Sequence, residues 1–135
     1  MIDVFLDTNI LLYSMDVKSE FFNQAKSVLY NPGYRFFISN KNISEFIAAV
    51  TKYKLMDYTV LIQSIEAFCG LFNMLFPDEV SHNIFISLLK EHRPERNRVF
   101  DIEIVSIMLA NKISKIATYN EKDFIGIPGI EIIGQ

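Results

Sequence analysis

The sequence predicts an α/β fold of three layers, in which helices cover both faces of a central parallel sheet of about five short strands. Short apolar runs alternate along the chain with longer stretches whose apolar residues recur at helical spacing. The first run ends in Asp7, Thr8 and Asn9, polar residues that can satisfy the open amides of a following helix. Single strands separated by helices need crossover connections, and a parallel sheet covered on both faces accommodates them.

Each expected strand is a short apolar run bounded by polar or turn residues: Val4–Leu6, Arg35–Ser39, Asn73–Phe76, Lys115–Thr118 and Ile130–Ile133. The expected helices carry apolar residues at helical spacing; they begin near Asn9, Ser19 and Asn40 or cover Met56–Phe72, Glu79–Lys90 and Ile102–Lys112. We expect Cys69 to lie in the core and His92–Val99 to form a charged loop. The helix after Asp101 is expected to be buried, because it is apolar on nearly every side.

Composition favours one domain covering residues 1–135. Half of the 135 residues are hydrophobic and 21% are charged, which excludes a disordered chain. The single cysteine cannot form an internal disulfide and no Cys/His cluster has zinc-ligand spacing, so we expect a reducing compartment, the cytoplasm. The first residues lack a basic stretch and no apolar run approaches roughly 18 residues, so we expect neither a secretory signal nor a membrane span.

Three acidic residues are expected at the carboxyl edge of the sheet, where ligands bind in such folds. Asp7 follows the first strand, Glu45 lies about one turn into the helix after the second strand, and Asp101 heads the buried helix before the fourth. Each has an alternative interpretation: the two aspartates could be helix caps and Glu45 a solvated helix residue. Ala48 and Ala49 favour a site at Glu45, because they leave its helix face free of bulky side chains.

Converging carboxylates would need compensation. Two of them about 5 Å apart repel by roughly 3 kcal/mol at an effective dielectric constant of about 20, so three mutual pairs approach ~10 kcal/mol. Protons or a cation must offset this, and an all-oxygen site without His or Cys suits Mg²⁺ or Mn²⁺. The chemistry natural to such a site is phosphodiester hydrolysis by a metal-activated water. The formal net charge of −3 gives no general attraction to nucleic acid, so a local site must provide it.

Four segments resemble the signature segments of PIN domains, especially VapC-type toxins: FLDTN (5–9), SNKNISEF (39–46), FDIEIVSIMLAN (100–111) and ATYNEKDF (117–124). The resemblance covers essentially the whole chain, including the closing PGIEII. It implies a PIN-like fold in which Asp7, Glu45 and Asp101 hold Mg²⁺ or Mn²⁺. It also implies that Thr8 and Asn9 orient the first aspartate and that Ser39 is the small hydroxyl residue preceding the glutamate helix.

The fourth acidic position of the family is matched by Asn120, which adds no charge. Asp123 could partly substitute, or it could be a surface turn residue before Phe124. Thr118, at the end of the fourth strand, is a further supporting residue. Arg93, Arg96 and Arg98 are the expected phosphate-binding residues, unless the segment is only a solvated loop.

The leading hypothesis is a metal-dependent endoribonuclease, the toxin of a toxin–antitoxin pair, with RNA as substrate and a cognate antitoxin as partner. Many Phe residues on the second and fourth helices also predict a homodimer that buries Phe or Leu from them. The alternative is a non-catalytic PIN-like module that binds RNA or protein. A receiver-like phospho-acceptor domain fits less well, because it needs paired acids after the first strand and LDTN offers one.

Overall fold

A computed structural model describes residues 1–133, so the last two residues of the predicted domain lie outside the described part. Five parallel strands form one sheet in the order β3-β2-β1-β4-β5. The strands are β1 (Ile2–Leu6), β2 (Tyr34–Ser39), β3 (Asn73–Leu75), β4 (Lys115–Ala117) and β5 (Glu131–Ile132). The predicted parallel sheet of five short strands is confirmed.

The helices connect these strands and cover both faces of the sheet. They are α1 (Thr8–Met15), α2 (Phe22–Leu29), α3 (Asn40–Tyr53), α4 (Tyr58–Leu71), α5 (Glu79–His92) and α6 (Arg98–Ala110), with a short 3₁₀ turn at Glu121–Asp123. No helix in the described residues is long and apolar enough to cross a membrane.

Two apolar cores lie on opposite faces of the sheet. Val4 and Leu6 pack into one with Phe46 of α3, whereas Phe5 packs into the other with Ile102 of α6. Successive strand residues point to opposite faces, so β1 contributes to both cores. The three-layer prediction is therefore confirmed.

The register of the central strands positions the site. Leu6 of β1 lies beside Ala117 of β4, and Phe5 lies beside Phe37 of β2. Because the three strands are parallel, the residues that follow them emerge at one edge of the sheet. Asp7, Thr118 and the start of α3 therefore come together there.

Two local predictions are wrong. Helix α6 begins at Arg98, so the loop after α5 is shorter than expected and Asp101 lies in the first turn of α6 instead of heading it. Cys69 is exposed, because α4 turns Leu61 and Phe68 toward the core and Cys69 lies on its outer face.

The homodimer stays a prediction, and most of the phenylalanines that motivated it pack within the chain. Phe68 is buried and Phe72 is half-buried within the chain, and the ring of Phe21 packs on Tyr13 and Tyr119. The phenylalanines of these helices are therefore largely covered by the fold itself. The large apolar residues of α4 that remain exposed are Tyr58, Val60, Ile62 and Leu71.

Candidate active site

Asp7 is held in one orientation at the centre of the carboxyl edge. It is only 6% exposed, and its Oδ1 accepts a hydrogen bond of 2.8 Å from the Thr8 amide. Its Oδ2 accepts one of 2.7 Å from the Thr118 hydroxyl and one of 3.3 Å from Asn9 Nδ2. Asp7 caps α1, so the capping interpretation is correct locally, and the same carboxylate lies beside the other acids.

Asn42 is a buried residue that the sequence analysis missed. Its Oδ1 accepts hydrogen bonds of 2.8 Å and 3.0 Å from the amide and hydroxyl of Ser39, closing a capping box at the start of α3. Its Nδ2 donates to the Leu6 carbonyl at 2.9 Å and to Thr8 Oγ1 at 3.2 Å. Asn42 therefore ties α3 to the end of β1 and fixes the helix that carries Glu45. The signal was its position three residues after Ser39.

Glu45 and Asp101 lie close enough to Asp7 to resist ionisation. Burial, followed by the charges of Asp7 and Asp101, raises the pKa of Glu45 to about 7, and the Thr8 side chain offsets part of the rise. Burial, followed by the charges of Asp123 and Asp7, raises the pKa of Asp101 to about 7, while Arg98 acts against it. The pKa of Asp7 is also raised, chiefly by burial. The three acids predicted from the sequence therefore lie within electrostatic reach of one another.

Asp123 is the fourth acid near this site. Its charge contributes to the raised pKa values of both Asp7 and Asp101. The 3₁₀ turn that carries it is held by Arg98, whose Nη2 donates to the Asp123 carbonyl at 3.1 Å. Asn120 is exposed, and its backbone amide donates to Thr118 Oγ1 at 2.9 Å. Asp123 is therefore an acid that acts electrostatically on this site, whereas Asn120 adds no charge.

Solved structures of similar shape come from VapBC systems. A chain from the DNA-bound VapBC2 of Rickettsia felis matches with a TM-score of 0.73 and 18% identity, covering 98% of each chain. VapBC-1 from nontypeable Haemophilus influenzae matches at 0.70 and 24% identity, covering 98% of this chain and 97% of that one. VapC20 of Mycobacterium tuberculosis, a sarcin–ricin loop cleaving toxin, matches at 0.72 and 11% identity, covering 95% and 98%. This chain has the PIN-domain fold. No family model and no curated protein sequence matches it.

Within this PIN fold, the three arginines occupy different environments. Arg98 is half-buried between Asp101 and the turn that carries Asp123. Arg93 and Arg96 are exposed between α5 and α6, both in the left-handed backbone region. Arg98 therefore has a structural role at the site, whereas the other two are available to solvent.

The donor set of this PIN-fold site suits a hard cation. The side-chain atoms that could bind a cation are all oxygens, the acids repel one another, and Glu45 Oε1 is buried without a hydrogen-bond partner. No three His, Cys, Asp or Glu side chains within residues 1–133 are already spaced as ligands of one ion. Mg²⁺ typically binds through one or two carboxylates and keeps several waters, so it does not need a preformed cage. The residues fit Mg²⁺ or Mn²⁺ by donor type, charge and shared location.

Proposed function

We propose that this protein is a divalent-cation-dependent endoribonuclease that hydrolyses RNA phosphodiester bonds, the toxin of a toxin–antitoxin pair. The observation that carries the proposal is the meeting of Asp7, Glu45 and Asp101 at the carboxyl edge of a PIN fold, with raised pKa values for all three. Perturbed carboxylates gathered at one site are a mark of catalytic centres. VapC20, the sarcin–ricin loop cleaving toxin, has a similar fold, which supports the same activity.

The acids of the site differ in how firmly their side chains are held. Asp7 is the fixed acid, because Thr8, Asn9 and Thr118 hold both of its carboxylate oxygens. Glu45 Oε1 is buried and has no hydrogen-bond partner. This oxygen can therefore bind a cation without breaking a hydrogen bond.

Mg²⁺ or Mn²⁺ would be held by Asp7, Glu45 and Asp101, and it would supply polarisation of a phosphoryl oxygen and a water of lowered pKa. Arg93 and Arg96, exposed beside α6, are the side chains we assign to RNA phosphates.

The proposed partners are supported by the comparisons and by the exposed surface of the protein. Several structures of similar fold are VapBC complexes, so we propose a cognate antitoxin that covers the carboxylate site. We also propose a homodimer that buries Leu71 and the other large exposed apolar residues of α4. An RNA substrate and an unpaired, exposed Cys69 fit the cytoplasm.

A non-catalytic PIN-like module that binds RNA or protein is the second candidate. It is favoured by the absence, within residues 1–133, of three acids already posed around one point, and by the neutral Asn120. The two candidates differ in one measurable property, which is cleavage of RNA on addition of a divalent cation.

The test is a cleavage assay on a fluorescently labelled single-stranded RNA, with Mg²⁺ or Mn²⁺ and with EDTA. Wild type is expected to cleave only with the cation. Asp101→Asn is expected to lower the cleavage rate by about 100-fold or more, as is typical when one transition-state contact is lost. Asp3→Asn is the matched control, because Asp3 lies near the opposite end of β1 from Asp7 and pairs with Arg35 on the surface. Equal cleavage by Asp101→Asn and wild type would refute the proposal, and no cleavage by wild type would favour the binding module.

A further inference from the structure

A groove of about 290 Å³ is lined in part by Glu45, one of the three carboxylates. It lies between α3 and α6, and its lining residues are Lys41, Ser44, Glu45, Ala48, Phe100 and Glu103. Glu45 belongs to both the groove and the carboxylate site, and Phe100 directly precedes Asp101 in α6. A ligand in this groove would therefore be an immediate neighbour of whatever reacts at the acids.

The groove presents an aromatic ring to solvent. Phe100 is 49% exposed, although six of the ten residues that follow it in α6 are buried. Ala48 of α3, which also lines the groove, adds only a methyl group, so the ring is not covered by a large side chain from that position. An exposed ring beside a nuclease site is a surface on which a nucleobase can stack.

The polar wall of the groove is an ion pair. Lys41 Nζ lies 3.0 Å from Glu103 Oε2, which holds the Glu103 carboxylate in place. Within residues 1–133, Glu103 Oε1 has no hydrogen-bond donor, so the carboxylate keeps free acceptor capacity. Guanine carries two adjacent N–H donors on its pairing edge and matches a carboxylate, whereas uracil carries one N–H between two carbonyls.

We propose that this groove binds the base of a nucleotide next to the scissile phosphate, with Phe100 stacking on the base and Glu103 accepting from it, and that guanine is preferred. The inference rests on the proposed ribonuclease function and adds a specificity site to it. An apolar side chain of a partner protein is a poorer occupant, because it would desolvate the Lys41–Glu103 pair without offering hydrogen bonds.

The experiment compares steady-state cleavage of short single-stranded RNAs by wild type, Phe100→Ala, Phe100→Tyr and Glu103→Gln. The RNAs differ at one position beside the mapped cleavage site, which carries guanine, inosine or uracil. Phe100→Ala is expected to lower kcat/KM by roughly 5- to 150-fold, mainly through KM, as expected for loss of one stacked base, and Phe100→Tyr to restore it. Glu103→Gln is expected to reduce the preference for guanine over inosine, because inosine lacks the exocyclic amine.

Tyr30→Ala is the matched control, since Tyr30 is an exposed aromatic residue before β2, at the opposite edge of the sheet. If wild type cleaves RNA and Phe100→Ala cleaves it equally with the same base preference, the inference is overturned and the ribonuclease function stands. If wild type cleaves no RNA with Mg²⁺ or Mn²⁺, both fall. If Phe100→Ala changes only inhibition by the cognate antitoxin, the groove belongs to a protein partner and the inference is overturned.

Discussion

Neutralising Glu45 is expected to stabilise the protein in the absence of divalent cations. Glu45 is partly buried, and it lies close enough to Asp7 and Asp101 for their charges to raise its pKa. Glu45→Gln keeps the shape of the side chain and removes first the cost of burying its charge and then the repulsion from Asp7 and Asp101. A substitution that abolishes activity should therefore increase the free energy of unfolding.

The size of the gain follows from the pKa. A rise from 4.5 to about 7 corresponds to roughly 3 kcal/mol, and partial solvent exposure of the site reduces this to an expected ~1–2 kcal/mol. For a domain of this size that is an increase in Tm of about 4–8 °C. The folded protein binds an extra proton at Glu45 between pH 4.5 and about 7, so wild-type stability falls as pH rises through that window. The gain from Glu45→Gln should be complete above pH 7 and disappear below 4.5.

The measurement is thermal unfolding in EDTA at several pH values from 5 to 8.5, for wild type, Glu45→Gln and the control Glu66→Gln. Glu66 is exposed on the outer face of α4, so its substitution should change Tm little at any pH. A variant no more stable than wild type at pH 8, or equally stabilised at pH 5 and pH 8, would show that Glu45 does not carry the repulsion inferred from its surroundings.

Three further outcomes test the site. Thr118→Val removes the 2.7 Å hydrogen bond to Asp7, so RNA cleavage should fall by about tenfold or more while the protein still unfolds cooperatively in a thermal melt. Calorimetric titration with Mn²⁺ should show weaker binding to Asp123→Asn than to wild type, because Asp123 acts on Asp7 and Asp101; unchanged binding would remove it from the site. Millimolar Mn²⁺ should raise the Tm of wild type and of Asp3→Asn equally, because a ligand that binds the folded state stabilises it. The rise should be much smaller for Asp7→Asn, and an equal rise in all three proteins would show that the cation binds elsewhere.

The fold and the three main acids could be predicted because both depend on local signals. Asp7 follows an apolar run directly, and parallel strands bring their carboxyl ends to one edge. The start of α6 was harder to predict, because Pro94 and the charged residues around it indicated a loop. Arg98 is nevertheless an acceptable helix residue, and α6 begins there. Cys69 lies in the apolar run Ala67–Phe72, which favoured burial, but Glu66, three residues earlier on the same helix face, is exposed and marks that face as the outer one.

The remaining features of the site depend on contacts between distant segments. Asn42 matters because its amide reaches the Leu6 carbonyl, 36 residues away in sequence. Glu103 matters because it pairs with Lys41 of another helix. Asp123 was named from the sequence as a possible substitute for the fourth acid, but its effect on Asp7 and Asp101 depends on the 3₁₀ turn that carries it.

The central claim is that the carboxylates direct water, and not the RNA's own 2′-hydroxyl, at the phosphodiester. The most direct measurement is end-group analysis of the products, by mass spectrometry, after cleavage of an RNA and of the same RNA with a single 2′-deoxy substitution at the cleavage position. Cleavage of both substrates to 5′-phosphate and 3′-hydroxyl ends, lost in Asp7→Asn, is the expected result. Products ending in a 2′,3′-cyclic phosphate, or failure to cleave the 2′-deoxy substrate, would contradict the account.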